Sequence, residues 1–354
     1  MRVEVDRPES LDGASLAAWR TIQQTHAELS RASLCPEFVL AVAAARGDVF
    51  VASIEEDGRT VGFFPFQRYR ADEGLPPGYG ISNTHGAIAD PSVPWDAREL
   101  IKRCRLASWY FDHLVPSAPF DPYYTTFRNE CFIDVAAGFD AYTQKRRQAG
   151  SKEIAKLERK TRKLEKEVGP VEFALHTDDP ALLNTLMNWK SAQYKRTRFV
   201  DRFAIPWVVE TVQRIHGIRT EDFGGLLAVL WVDGAPVALN MTMRSHSALE
   251  LWFSAYDHAY AKYSPGLILR MKLAQHAPAL GLATVELGRS GAAYKERLMS
   301  GERAQAVGCV QLLPSTQQRP ISDRLLRTIP GDRVSRVRGR LEERRLWRSL
   351  DPKR

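Results

Sequence analysis

The chain has 354 residues, 44% apolar and 26% charged, with 23 Gly, 20 Pro, four Cys and a formal net charge of +8. This composition excludes a disordered chain, a collagen-like repeat and a disulfide scaffold, and the length suits two domains that each bury a core. Cys35, Cys104, Cys131 and Cys309 lie far apart with no C-x-x-C pair; no apolar run approaches the roughly 18 residues of a membrane span, and MRVEVDRPES lacks a signal-peptide core, so the expected address is cytoplasmic.

In chain order, helices are expected near residues 12–30, 36–45 and 96–107. VFVASIEEDGRTVGFFPF, from Val49, reads as a hairpin about Asp57-Gly58. A long helix is expected from Phe139 to Val168, with apolar Ile154, Leu157 and Leu164, stopped by Gly169-Pro170. It is strongly basic, with ten Lys/Arg against four Glu over residues 145–167. A strand over Val171–Leu175 precedes a helix that opens at Asp179-Pro180 and runs through Tyr194. A further helix follows Pro206.

LLAVLWVDGAPVALNMTM, from Leu226, then repeats the hairpin about Asp233-Gly234. Ala52, Asp57, Gly58 and Val61 match Ala228, Asp233, Gly234 and Val237, so the period is half the chain and two similar domains in tandem are expected. Leu249–Tyr256 reads as a strand, Ser264-Pro265-Gly266 opens a helix to Leu280, Thr284–Leu287 is a strand, Ala292–Met299 a short helix and Ala306–Leu313 a last strand. The second half is thus β-α-α-β-β-β-α-β-α-β, a mixed α/β arrangement. Residues 319–354 form a second basic segment, with twelve Lys/Arg against five Asp/Glu. Each basic segment could meet phosphate or an anionic membrane surface, or be a solvated helix face.

That element order resembles the GCN5-related N-acetyltransferase (GNAT) fold. WKSAQYKRTRFVDRFAIPW from Trp189, WFSAYDHAYAKYSPGLIL from Trp252, VELGRSGAAYKERL from Val285 and RKLEKEVG ahead of a strand resemble the cellulose-biosynthesis-associated (CelD/BcsL-like) acetyltransferases within it. The architecture is also similar to that of Fem-type aminoacyl transferases. The resemblance implies tandem GNAT-like domains with mixed sheets flanked by helices: 1–138 a degenerate GNAT-like domain, 139–168 a basic linking helix, 169–314 the acyltransferase domain and 315–354 a basic tail. It implies acetyl-CoA or another acyl-CoA as co-substrate. The implied activity is acyl transfer to an amine or hydroxyl of a saccharide or cell-envelope precursor.

Several residues suit that chemistry. Tyr263, Ser264, Pro265 and Gly266 form a turn into a helix, where unpaired N–H groups and the helix dipole favour an anion; the resemblance makes this the coenzyme A turn, although S-P-G departs from the usual glycine-rich loop. Glu286, expected at a strand end, could act as a general base, where relatives carry Asp. Tyr294 could protonate the departing thiolate, and Lys295 could neutralise charge on either substrate. Lys190 and Tyr194 share a helical face and could line an acceptor pocket. Trp252 and Tyr256, expected on one strand face, would offer aromatic planes to a sugar ring or the pantetheine arm.

No metal site is expected, because Asp257-His258 lacks a second ligand pair. G-x-S-x-G, G-x-x-x-x-G-K-[ST] and G-x-G-x-x-G motifs are missing. Two alternatives remain: a Fem-like enzyme using aminoacyl-tRNA, its phosphates met by the helix at 145–167, and a non-catalytic GNAT-like scaffold in polysaccharide synthesis. The tail from Asp332 to Leu350, with Trp347 between Arg345 and Arg348, suits either a packed terminal helix or a weak contact with an anionic membrane.

Overall fold

A computed structural model of the chain describes residues 1–70 and 72–312; the basic tail, with its expected helix and membrane contact, lies outside the described residues. Both hairpins form as expected, and for the same reason. Asp57 and Gly58 have φ of 51° and 74°, Asp233 and Gly234 have 51° and 76°, the left-handed pair that a two-residue turn matched to strand twist requires.

The first half runs β1 (Arg2–Asp6), α1 (Gly13–Thr25), α2 (Pro36–Ala45), β2 (Val49–Glu56), β3 (Arg59–Arg68), β4 (Glu73–Leu75), β5 (Ile88–Ala89), α3 (Ala97–Arg103), β6 (Ser108–Leu114) and β7 (Tyr124–Asp134). Then come α4 (Phe139–Gln148) and α5 (Glu153–Glu167). The second half runs β8 (Val171–Ala174), α6 (Pro180–Thr197), α7 (Pro206–His216), β9 (Gly224–Val232), β10 (Ala235–Arg244), β11 (Ala248–Tyr256), α8 (Pro265–His276), β12 (Thr284–Arg289), α9 (Ala293–Leu298) and β13 (Gly301–Gln311). The two halves therefore repeat one order, β-α-α-β-β-β and onward. Among the described residues four α-helices begin on a proline that presets φ at the first position, at Pro36, Pro180, Pro206 and Pro265.

The expected single helix over 139–168 is two. Gly150, at φ 78°, turns the chain between α4 and α5, a conformation that a continuing helix does not allow. The last strand also starts earlier than expected, at Gly301.

The thirteen strands of the described residues join one sheet, ordered β1-β2-β3-β4-β6-β13-β7-β12-β11-β10-β9-β8, with β5 on β3. The halves exchange strands at its centre. β7 of the first half lies between β12 and β13, while β13 of the second half pairs with β6. A continuous mixed sheet thus crosses residue 138.

One face of this sheet carries α1, α2, α6 and α7, whose Trp19, Phe38, Val42, Leu186, Val208 and Val212 pack into a core shared by both halves. Behind the second half, α5 and α8 cover the other face through Leu157, Leu164, Ile268 and Leu269. Behind the first half, Leu100 and Ile101 of α3 pack with Trp109 and Phe120.

In the second half, parallel β11 and β12 pair at Ala248–Thr284, Leu249–Val285 and Glu250–Glu286 and then part. The counterpart in the first half is β4 beside β6, paired at Glu73–Ser108 and Gly74–Trp109. There the chain's own segment after β4 fills the gap. Tyr79, Ile81 and His85 of that segment are buried, and His85 bridges to Leu114 at the end of β6.

A sheet and core shared in this way should unfold as one unit. Urea unfolding followed by far-ultraviolet dichroism and by tryptophan fluorescence should give coincident transitions; two resolved transitions would contradict it.

Candidate active site

The separation of β11 from β12 is lined by charge. On β11, Leu249 and Leu251 face α8, and on β12 Val285 and Leu287 do the same, so Glu250 and Glu286 point to the opposite, helix-shared face. Glu130 on β7 joins them. All three carboxylates are at most 2% exposed.

A buried carboxylate is tolerable only with partners at hand. Glu286 receives Arg31 of the first half, Arg303 Nη1 of β13 at 3.0 Å to each oxygen, and Thr284 Oγ1 at 2.7 Å. Glu250 accepts from the Ser33 backbone N–H at 3.3 Å and from Ser33 Oγ at 3.0 Å. Glu130 accepts from Gln305 Nε2 at 3.0 Å. Burial raises the Glu250 carboxyl above its ordinary range. Burial, with the Glu286 carboxylate next in weight, pushes Glu130 from 4.5 up to about 8.

Glu286 was expected at the end of its strand. It lies inside β12, which continues to Arg289, but at the last rung shared with β11. Two guanidinium groups, those of Arg31 and Arg303, bond to it there.

The turn expected to take an anion sits on the other face. Ser264, at φ 59°, caps α8 without a side-chain bond to the helix, and its hydroxyl accepts from Lys160 Nζ of α5 at 2.6 Å. Pro265 is buried as the first helical residue, and Gly266 lies close under Tyr256, whose Cδ1 is 3.4 Å from where a Cβ would sit. Tyr263 is only 3% exposed and donates to Glu167 at 2.6 Å, so it braces the turn against α5.

Trp252 and Tyr256 do not share a face. Thr242 pairs with Leu251 but Met241 with Phe253, so Trp252 is the extra residue of a bulge and reverses the alternation. Tyr256 faces α8, whereas Trp252 packs edge-on against Phe38 and donates its indole N–H to Ile81 O at 2.6 Å. Trp252 is thereby an anchor for the first half.

Tyr294 and Lys295 open α9 beside this gap. Arg270 of α8 lies 4.6 Å from the Tyr294 ring centre, and Lys295 Nζ donates to Arg289 O at 2.8 Å. Lys190 bonds Gln193 at 3.2 Å and stands 5.2 Å from the Tyr194 ring centre, with Arg202 at 5.8 Å from the same ring. Burial brings Lys190 down to about 8, helped by Arg202, Arg270 and Lys295. Burial, then Arg270, brings Lys295 down to about 8. Lys190 of α6 and Lys295 of α9 are thus brought into one field with Arg270. Among the described residues no carboxylate pairs with Lys190, Lys295 or Arg270.

Two groups bring metal-ligand atoms within 4.8 Å of one another, His85–Asp112–His113 and His176–Asp178–His216. Both are hydrogen-bonding clusters. His85 Nδ1 accepts from the His113 backbone N–H at 3.3 Å, and burial lowers this imidazole to about 3, so it is neutral. His176 Nδ1 accepts from Leu227 N at 3.1 Å, and His216 Nε2 lies 2.9 Å from Thr177 O.

Paired parallel strands that part beside the first turn of α8, with Lys190, Tyr294 and Lys295 nearby, make an arrangement that acyl transfer can use. Residues 151–296 match the acetyltransferase (GNAT) domain family, which supports an acyltransferase; GNAT domains use acyl-CoA as co-substrate. No curated protein matches the sequence. Among solved structures, FemX matches at 10% identity and a TM-score of 0.58, over 89% of this chain and 98% of its own. The L-PGS from Bacillus licheniformis matches at 15% identity and a TM-score of 0.55, over 93% and 98%. The C-terminal domain of a putative lysylphosphatidylglycerol synthetase from Agrobacterium fabrum does so at 12% and 0.51, over 85% and 94%. At such identities these likenesses show the fold alone.

The residues that sequence reasoning missed are Arg31, Glu130, Glu250 and Arg303. Replacing Arg31 by Met should cost about 3 kcal/mol of stability, the scale for stripping a partner from a buried ion pair, measured as a lowered urea midpoint. Glu130→Gln tests the raised carboxyl. The folded state keeps the Glu130 proton while the unfolded chain loses it from pH 4.5 upward, so the parent loses stability as pH rises towards 8. The variant should lack that slope and be the more stable protein at pH 8. Equal slopes would contradict this.

Proposed function

We propose that the chain transfers an acyl group, acetyl being expected, from acyl-CoA to an amine or hydroxyl of a saccharide or cell-envelope precursor. One observation carries the reading: β11 and β12 separate directly after Glu250 and Glu286, beside the open first turn of α8. A thioester lying in that gap meets β11 N–H groups that have no β12 partner, placed to polarise its carbonyl. Diphosphate oxygens suit the first turn of α8, with Lys160 alongside.

The acceptor nitrogen or oxygen attacks the carbonyl carbon, forming its bond to the acyl group as the carbon–sulfur bond breaks. The thioester is already activated, so alignment and proton movement are what the protein must supply. Lys295, brought to about 8, is the base for the acceptor proton. Tyr294, with Arg270 packed over its ring, gives its proton to the leaving thiolate. The Tyr194 ring between Lys190 and Arg202 offers an aromatic plane on the acceptor side. Glu286 holds Arg31 and Arg303 beneath the gap.

Calorimetry should detect acetyl-CoA and coenzyme A; no binding by either at millimolar concentration would remove the reading. The rate should rise with pH to a plateau above about pH 8, because the base works neutral. Lys295→Gln should abolish that limb, and Tyr294→Phe should lower kcat by about 10- to 100-fold with the limb intact. The basic surface of α4 and α5 favours a second reading, an aminoacyl-tRNA donor. A gel shift with charged tRNA at low salt checks it, since binding through phosphates must weaken steeply as salt rises.

A further inference from the structure

A second cationic feature lies where α4 meets α5. With α9 they enclose a cavity of about 820 Å³. Arg146, Lys152, Lys156, Arg159 and Arg297 line it, against Glu153 and Glu296. Glu153 is 6% exposed and already neutralised, by Arg297 Nε at 3.0 Å and Lys156 Nζ at 3.6 Å. The balance of the wall is positive. Arg146 donates from Nη2 to Arg297 O at 3.0 Å, while its Nε is buried with no partner. The first turn of α5, a 15-residue helix, lies beside the cavity; its N-cap Lys152 makes no capping bond, although Ser151 Oγ accepts from Glu153 N at 3.4 Å.

The position of this cavity points to its occupant. α5 leads from it to the first turn of α8, where Lys160 meets Ser264. Lys156 and Lys160 are about one helical turn apart on α5, about 6 Å at 1.5 Å per residue. An anion held at the start of α8 and a second anion held near Lys156 would therefore be spaced along one basic helix, as are the separate phosphate groups of a nucleotide.

We propose that this cavity binds the ribose 3′-phosphate of the acyl donor's nucleotide, so that α5 serves as the donor's handle. The proposal rests on the acyl-CoA reading. Guanidinium and ammonium groups around a doubly charged phosphate form charge-assisted hydrogen bonds, and the three arginines offer bidentate contacts.

The test compares coenzyme A with 3′-dephospho-coenzyme A, which differ by that phosphate alone, using calorimetry on the full chain. The parent should prefer coenzyme A by about tenfold or more. Lys156→Ala combined with Arg159→Ala changes two exposed side chains and should bring the two affinities to within about twofold of each other. Affinity for the dephospho form should not change. Equal affinities in the parent overturn the proposal, as does a preference that survives the double substitution. Failure of both compounds to bind overturns the acyl-CoA reading as well, an outcome distinct from equal binding. If tRNA binds and the same substitutions abolish that binding alone, the cavity belongs to an RNA contact and the proposal is wrong.

Discussion

The Glu286 carboxylate is almost wholly removed from water, and desolvating such a charge costs several kcal/mol unless cations come with it. One cation, Arg303, is carried by β13. The other, Arg31, arrives from a loop of the first half, where Ser33 two residues later also satisfies Glu250. The rung at which β11 and β12 part is therefore built from both halves of the chain. Its polar floor cannot be completed until the loop at residues 30–34 docks. The cleft of the second half is in this sense a property of the whole fold, although the family match begins only at residue 151.

Much of the second half was legible because its signals are local. Proline at a helix start and Asp-Gly between apolar runs each fix a conformation through their own backbone preferences. β6 and β7 escaped notice because their partners are distant. YTTFRNECFID mixes charge into its alternation since Glu130 sits in a buried polar cluster rather than facing solvent or a hydrocarbon core. The bulge at Trp252 has no local marker, so simple alternation put Trp252 and Tyr256 together. The apolar positions that marked the long helix, Ile154, Leu157 and Leu164, all follow Gly150, so no large apolar residue tied 143–153 to it, and Gly150 at positive φ separates α4 from α5. Glu250 did leave a trace, as the lone acid within ALELWF. Arg31 left none, because its partner is 255 residues away.

The two halves share an order of elements but use it differently. In the first half the gap beside its β4 is closed by the segment carrying Tyr79, Ile81 and His85. That same segment reaches outward: Ile81 O takes the Trp252 indole, Asn83 O accepts from Gln305, and Asn83 N donates to Ser33. The closed gap of one half thus braces the open gap of the other. The same order of elements thus leaves a gap in one half and fills it in the other.

The exchange of β7 and β13 also constrains the birth of the molecule. β7 is complete by Asp134, but both of its neighbours lie beyond Thr284. At about 5–20 residues per second, a ribosome leaves that strand unpaired for roughly ten to thirty seconds. Through that interval a nascent first half exposes the edges of β6 and β7 to any other extended chain nearby. Arg128, Asn129 and Glu130 interrupt β7 with charge and an amide, and such interruptions disfavour edge-to-edge association. Glu130, which later forms part of the floor of the site, would then share an earlier duty with its two neighbours, keeping an unfinished protein apart from other chains.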